Sequence, residues 1–282
     1  MSYEVTLNQY ISNYRLTKSM DLGIKDKIAI VTGSSQGLGF ATAHALAGEG
    51  ARVVMCSRNK TAIEQAAHEI HKNTGGTVLP VVADISVPDD IRNVVDVAVN
   101  NFGTIHILVN NTGGPPVADF EDITDDTWTK GFDLVLMSMI RFIRFVLPYM
   151  KNQTWGRVVT ISSIAAKQPI DDLIISSTLR PGIHALNRIL TNKYASSNIL
   201  FNAVAPGFIL TGRLSEIYKS RAEKDNSSVE EQILNASKNI PMGRMGDPKE
   251  LASAIAFLVS EKASYIGGTT LSVDGGLSKG VY

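Results

Sequence analysis

The stretch Ile28-Ala29-Ile30-Val31-Thr32-Gly33-Ser34-Ser35-Gln36-Gly37-Leu38-Gly39 decides the fold. A short apolar run ends at Thr32, glycines follow at 33, 37 and 39, and a helical run with Ala41, Ala43, Ala45, Leu46 and Ala47 comes next. This reads as strand, tight turn, helix. Glycines here let the backbone approach a pyrophosphate, which then rests against free N–H groups and the positive end of the helix dipole. A turn that merely packs helix on strand would use the same residues, but its place in the first strand–helix–strand unit favours phosphate binding.

Working outward, apolar runs bounded by Gly, Asp or Ser recur at Ile28–Val31, Arg52–Cys56, Val78–Val82, Ile107–Val109, Arg157–Ile161, Leu200–Val204 and Thr270–Val273. Runs without alternation belong to strands covered on both faces, and the helical patterns between them supply right-handed crossovers. The predicted product is a doubly wound α/β fold: a parallel sheet of about seven strands with helices on both faces. The helix predicted over Asp125–Tyr149 is apolar around most of its circumference, so it needs either a second subunit or a deep place in one large core. A polar, charged stretch between Leu210 and Pro241 is too long for an ordinary connection and is a candidate lid over about 210–241.

The 282 residues, 44% of them hydrophobic, suit one large domain over 23–282, preceded by an extension, 1–22. Lys plus Arg equals Asp plus Glu at 27 each, so no positive field exists to hold nucleic acid. Cys56 is the only cysteine and cannot form an intramolecular disulfide. No apolar run approaches the roughly 20 residues needed to span a bilayer, and the first residues lack a signal-peptide pattern, so no membrane partner and a reducing cytoplasm are expected. No metal ligand set is assigned.

The second strand runs into Ser57-Arg58-Asn59. A carboxylate at this strand end would accept from a ribose 2′-OH, whereas Arg58 can neutralise a 2′-phosphate, which favours NADP over NAD. A solvated turn charge is the alternative reading of Arg58.

With these residues in place, the chain from about Gly23 onward resembles the short-chain dehydrogenase/reductase family, especially its 3-oxoacyl-[acyl-carrier-protein] reductase branch. The resemblance rests on Thr32-Gly33 with Gly37 and Gly39, Asp84-Ile85, Asn110-Asn111-Thr112-Gly113, Ser162-Ser163, Pro206-Gly207-Phe208-Ile209-Leu210-Thr211 and Asp274-Gly275-Gly276, all in order. It implies a Rossmann-type dinucleotide site lined by Gly33, Ser35, Gln36, Leu38 and Arg58. Asp84 and Ile85 would contact the adenine, and Asn111 and Gly113 would line the groove. Pro206, Gly207, Ile209 and Thr211 would sit at the nicotinamide. It also implies a small-molecule carbonyl or alcohol substrate and a homotetramer or homodimer.

Of the family's Asn, Ser, Tyr and Lys, only the serine, Ser163, is present. Counting from it, the tyrosine slot falls on Ser176, the lysine slot on Arg180 and the asparagine slot on Val135. Tyr194 restores no motif, because Asn198 stands four residues on. An aliphatic hydroxyl is a far weaker acid than a phenol, and arginine does not release its proton. Ser163 would orient a carbonyl or cap its strand end, Ser176 would replace the tyrosine poorly, and Arg180 would hold the nicotinamide ribose and place fixed charge near an oxyanion. Asp171 and Asp172 are the nearest carboxyls, either acids or a solvated loop; His184 reads as structural, and Tyr218 has only reach in its favour. The sequence thus supports an NAD(P)-dependent oxidoreductase that interconverts a carbonyl and a secondary alcohol. A cofactor-binding protein without turnover, or a different reaction on the same scaffold, is the alternative.

Overall fold

The computed structural model describes residues 20–280; several side chains within that span, Asp172 among them, lie outside the description, as does most of the expected extension. Seven strands form one sheet: β1 Ile28–Val31, β2 Arg52–Ser57, β3 Val78–Val82, β4 Ile107–Asn110, β5 Gly156–Ile161, β6 Ile199–Pro206 and β7 Thr270–Val273. All neighbours are parallel, in the order β3-β2-β1-β4-β5-β6-β7. This is the doubly wound, Rossmann-type arrangement expected, with strand ends shifted by one or two residues.

The burial pattern explains the parallel sheet. Alternate residues of the central strands enter two separate cores: Ala29, Val31, Val53, Met55, Ile107 and Val109 on one face, and Ile30, Val54, Cys56 and Leu108 on the other. Helices α1 (Gly37–Gly48), α2 (Lys60–Thr74) and α9 (Pro248–Leu258) cover the first face, through residues such as Leu46, Ile63 and Ile255. The second face is covered by α3 (Pro88–Phe102), α5 (Ser138–Asn152) and α6 (Ile174–Tyr194), through Ile91, Phe142 and Ile183. Cys56 is fully buried and its thiol is pushed up to about 12 by that burial, chiefly because a thiolate there would be desolvated.

Two expectations change in detail. The long apolar helix forms over the expected span but is not α throughout: α4 (Asp125–Phe132) passes through a π-turn over Asp133–Met137 into α5. The unbroken apolar run Leu134–Met137 has no helical period to hold one register, and the wider turn places Val135 in the core while Leu134 borders a groove. The stretch expected to be a lid contains two helices, α7 (Gly212–Lys224) and α8 (Val229–Ser237), the second capped by Ser228. Tyr218, Ile240 and Met245 form a small core beneath this pair. Tyr218 is therefore buried within that unit and does not line the groove, against the idea that its phenol swings inward. Among the described residues no helix is long and apolar enough to cross a membrane.

Candidate active site

The chain order reverses direction between β1 and β4, and a crevice opens at the carboxyl ends of these strands, as doubly wound sheets require. Its floor is the glycine turn. Gly33 has φ +56° and Gly37 φ +61°, conformations that side-chain-bearing residues adopt at a cost. The turn is tied down on both sides. Thr32 Oγ1 donates to the Asn111 carbonyl at 2.7 Å and accepts from the Asn111 N–H at 2.8 Å, while Asn111 Nδ2 donates to the Gly33 carbonyl at 2.9 Å. Ser34 anchors the other side, donating to the Val31 carbonyl and accepting from the Cys56 N–H. Helix α1 then starts at Gly37 without a side-chain cap from Gln36, which leaves its first-turn N–H groups directed at the crevice. A rigid, uncapped helix start behind a glycine cradle is chemically suited to a pyrophosphate.

Three adjoining cavities make the crevice a continuous groove. The outer one, about 530 Å³, brings together Gly33, Ser35, Gln36, Arg58, Asp84, Ile85 and Gly113. The middle one, about 190 Å³, shares Gly33 and Gln36 with it and adds Leu38, Asn111 and Thr211. The inner one, about 260 Å³, shares Leu38 and Thr211 with the middle and reaches Ser163, Ser176, Arg180, Pro206, Gly207 and Ile209. Every residue assigned to the site from sequence therefore borders the groove. Arg58 is exposed at its outer end and makes no hydrogen bond or ion pair among the described residues. For Asp84, burial works to raise the carboxyl pKa but is outweighed by donation from the Ser86 N–H and hydroxyl and by the Arg58 charge, so the group stays below its usual value.

The inner end holds the hydroxyls. Arg180 Nε donates to Ser176 Oγ at 2.9 Å, and its Nη1 donates to the Ile161 carbonyl at the end of β5 at 3.1 Å. Both residues lie on one face of α6, four apart, and both are buried. Because Ser176 accepts from Arg180, its own O–H can point into the groove. Ser163 caps the short turn over Ile164–Ala166, accepting from the Ala165 N–H at 3.1 Å. The capping and orienting readings of Ser163 are compatible, since the acceptor role leaves the hydroxyl proton to donate. Val135, in the asparagine slot, is only 1% exposed and carries no polar atom toward the groove. Asp171 is exposed and outside the groove lining, and the Asp172 side chain lies outside the described residues.

One partner at this end has no counterpart in the site assigned from sequence. Ser162 Oγ and His184 Nε2 are 2.9 Å apart. His184 stands one turn beyond Arg180, so Ser176, Arg180 and His184 form a column at i, i+4 and i+8 on α6. Burial first, then the charges of Lys167 and Arg180, lower the imidazole pKa to about 4, so it is neutral near pH 7. The i+8 spacing was the available signal. Nothing in the sequence aligned it with the first serine of the pair at the end of β5.

Fold and groove define a doubly wound α/β protein with a ligand crevice at its topological switch point. The sequence model of a family described as enoyl-(acyl carrier protein) reductase matches residues 33–278. The chain is 33% identical over 262 residues to the oxidoreductase YvrD of Bacillus subtilis, covering 92% of this chain and 98% of that one. It is 30% identical over 254 residues to the 3-oxoacyl-[acyl-carrier-protein] reductase FabG of Thermotoga maritima, covering 90% and 98%. Among solved structures it is similar to L-sorbose reductase from Gluconobacter frateurii, complexed with NADPH and L-sorbose. That match has a TM-score of 0.90 and 31% identity, over 93% of this chain and 100% of that one. The chain belongs to the short-chain dehydrogenase/reductase family and is an oxidoreductase of that family.

Proposed function

We propose that the protein is an NADP-preferring oxidoreductase that interconverts a carbonyl and a secondary alcohol, in the manner of a 3-oxoacyl-[acyl-carrier-protein] reductase. The observation that carries this reading is the single groove running from Arg58, past the glycine cradle, to Ser163, Ser176 and Arg180. The dinucleotide, when bound, supplies or takes the hydride. This chain's residues do the rest: the cradle and α1 hold the pyrophosphate, and Arg58 meets a 2′-phosphate. Ser163 and Ser176 donate hydrogen bonds to the substrate oxygen, and the Arg180 charge stabilises negative charge developing there. Pro115, Val117, Leu173, Phe208 and Leu214 give the inner cavity an apolar wall, which suits a substrate with a hydrophobic flank beside its carbonyl. The helices α7 and α8 act as the lid of a single domain, and the partly exposed apolar side of the π-turn and α5 suits a homotetramer or homodimer in the cytoplasm. A cofactor-binding protein without turnover is the second reading, favoured by the loss of a phenol, an ammonium and, at the core residue Val135, any polar group.

Fluorescence titration with NADPH and NADH, followed by nicotinamide absorbance on a panel of 3-oxoacyl thioesters, sugars and secondary alcohols, separates the two. The expected result is tighter binding of NADPH and turnover of at least one carbonyl. Tight NADPH binding with no turnover on any compound selects the second reading. Arg58→Asp should move the preference toward NADH by about tenfold or more, equivalent to about 1.4 kcal/mol. An unchanged NADPH to NADH affinity ratio would remove Arg58 from the 2′-phosphate site.

A further inference from the structure

We propose that Ser162 and His184 form a proton relay that serves the inner cavity in place of the absent phenol. This rests on the carbonyl-reduction reading above. A carbonyl that accepts hydride becomes an alkoxide and needs one proton. The buried hydroxyl of Ser176 already accepts from Arg180, and a guanidinium does not release its proton. Ser162 is different. It lines the same cavity, is 4% exposed, and has an imidazole at hydrogen-bond distance.

The histidine is suited to conduction by its surroundings. It is half-buried, so one side of the ring meets Ser162 while the residue retains contact with solvent. The two cations facing it, Lys167 from the turn after β5 and Arg180 from its own helix, disfavour the imidazolium. A neutral imidazole has one N–H and one lone pair, so it can donate on one side and accept on the other. In the reductive direction the bookkeeping of atoms closes. Hydride from the reduced nicotinamide dinucleotide forms the new C–H bond and the carbonyl π pair moves to oxygen. That oxygen takes the Ser162 hydroxyl proton, Ser162 takes the Nε2 proton of His184, and His184 takes one proton from solvent at Nδ1. No net charge remains on the protein, and a tautomer exchange of the neutral ring restores the starting state. Alcohol oxidation runs the same steps backward. His184 acts through Ser162 and is a positioning residue in this scheme; Ser162 is the group that touches substrate.

The test compares wild type with His184→Gln, which can still bond to Ser162 but cannot pass a proton through a ring, with His184→Phe, which keeps an aromatic ring, and with Ser162→Ala. Circular dichroism and thermal melting establish folding, NADPH titration reports the groove, and steady-state kinetics on a turned-over carbonyl reports the relay. All three variants are expected to bind NADPH within about twofold of wild type. Their kcat should fall about 100-fold or more, the range of general acid–base assistance. The KM should stay close to that of wild type, and the His184→Phe/Ser162→Ala double variant should be no slower than the worse single. Wild-type kcat in His184→Gln, or losses that multiply in the double variant, would overturn the relay alone. Weakened NADPH binding in the folded variants would also overturn it, by making His184 a support of the groove. A wild-type protein that binds NADPH and reduces no carbonyl would instead overturn the underlying reading, and the relay with it.

Discussion

Gly39→Ala is expected to abolish dinucleotide binding while leaving the sheet folded. A Cβ at this position would collide with the Gly33 carbonyl oxygen and come within 2.7 Å of Asn111 Nδ2. Neither atom can step aside cheaply. The Gly33 carbonyl is held by Asn111, and Asn111 is itself held at both backbone groups by Thr32. Relief must come from a shift of the glycine turn away from helix α1, which spoils the cradle where the pyrophosphate approaches. NADPH affinity should fall at least about 100-fold, close to 2.7 kcal/mol. Gly48→Ala is the control, because a Cβ there meets only Thr74 Cγ2 at 3.9 Å and alanine favours the helix by up to about 1 kcal/mol. Fluorescence titration of both variants checks the prediction, and wild-type affinity in Gly39→Ala would mean that the turn does not hold the phosphates.

The two glycine positions also show what made the fold legible. The doubly wound parallel sheet follows from short apolar runs separated by helical patterns, and those signals are local: Ile28–Val31 is an apolar run without alternation, and Ala41–Ala47 follows it as a helical pattern. The lining of the groove was legible because its parts sit at the ends of strands, where sequence position fixes place in space. The π-turn over Asp133–Met137 was not, since its wider turn depends on how Val135 and Leu134 pack against the rest of the core. The same holds at the opposite end of the sheet, where the strands begin. There the Arg157 guanidinium stacks on Trp155, Lys27 lies over the same ring, and Trp155 donates to Glu261 at 2.7 Å, joining residues more than 100 positions apart. The Ser162–His184 contact is intermediate. Its helix spacing was readable, but its partner depends on how α6 crosses the end of β5.

The removal of Arg180 is the change expected to reduce turnover most. In Arg180→Ala, Ser176 loses the donor that orients its hydroxyl and the Ile161 carbonyl loses the donor at the end of β5, while the fixed charge beside the substrate oxygen disappears. Loss of one preorganised donor at a developing oxyanion costs about 10²–10³ in kcat, and Arg180 contributes both a charge and the orientation of a second donor, so the upper part of that range is expected. Arg180→Lys discriminates between these contributions. An ammonium keeps the charge but has no planar fork to hold Ser176 at 2.9 Å and Ile161 at 3.1 Å together, so its kcat should fall between those of wild type and Arg180→Ala. Ser176→Ala removes the oriented hydroxyl but leaves the charge, and it should be milder than Arg180→Ala. If Ser176→Ala were as slow as Arg180→Ala, the guanidinium would act only by orienting the hydroxyl. Wild-type kcat and KM in Arg180→Ala, measured beside NADPH affinity and thermal melting, would place the chemistry elsewhere in the groove. The order Arg180→Ala, then Arg180→Lys and Ser176→Ala, then wild type would instead assign stabilisation of the developing oxyanion chiefly to the fixed charge of Arg180 and leave delivery of the proton to another group in the groove.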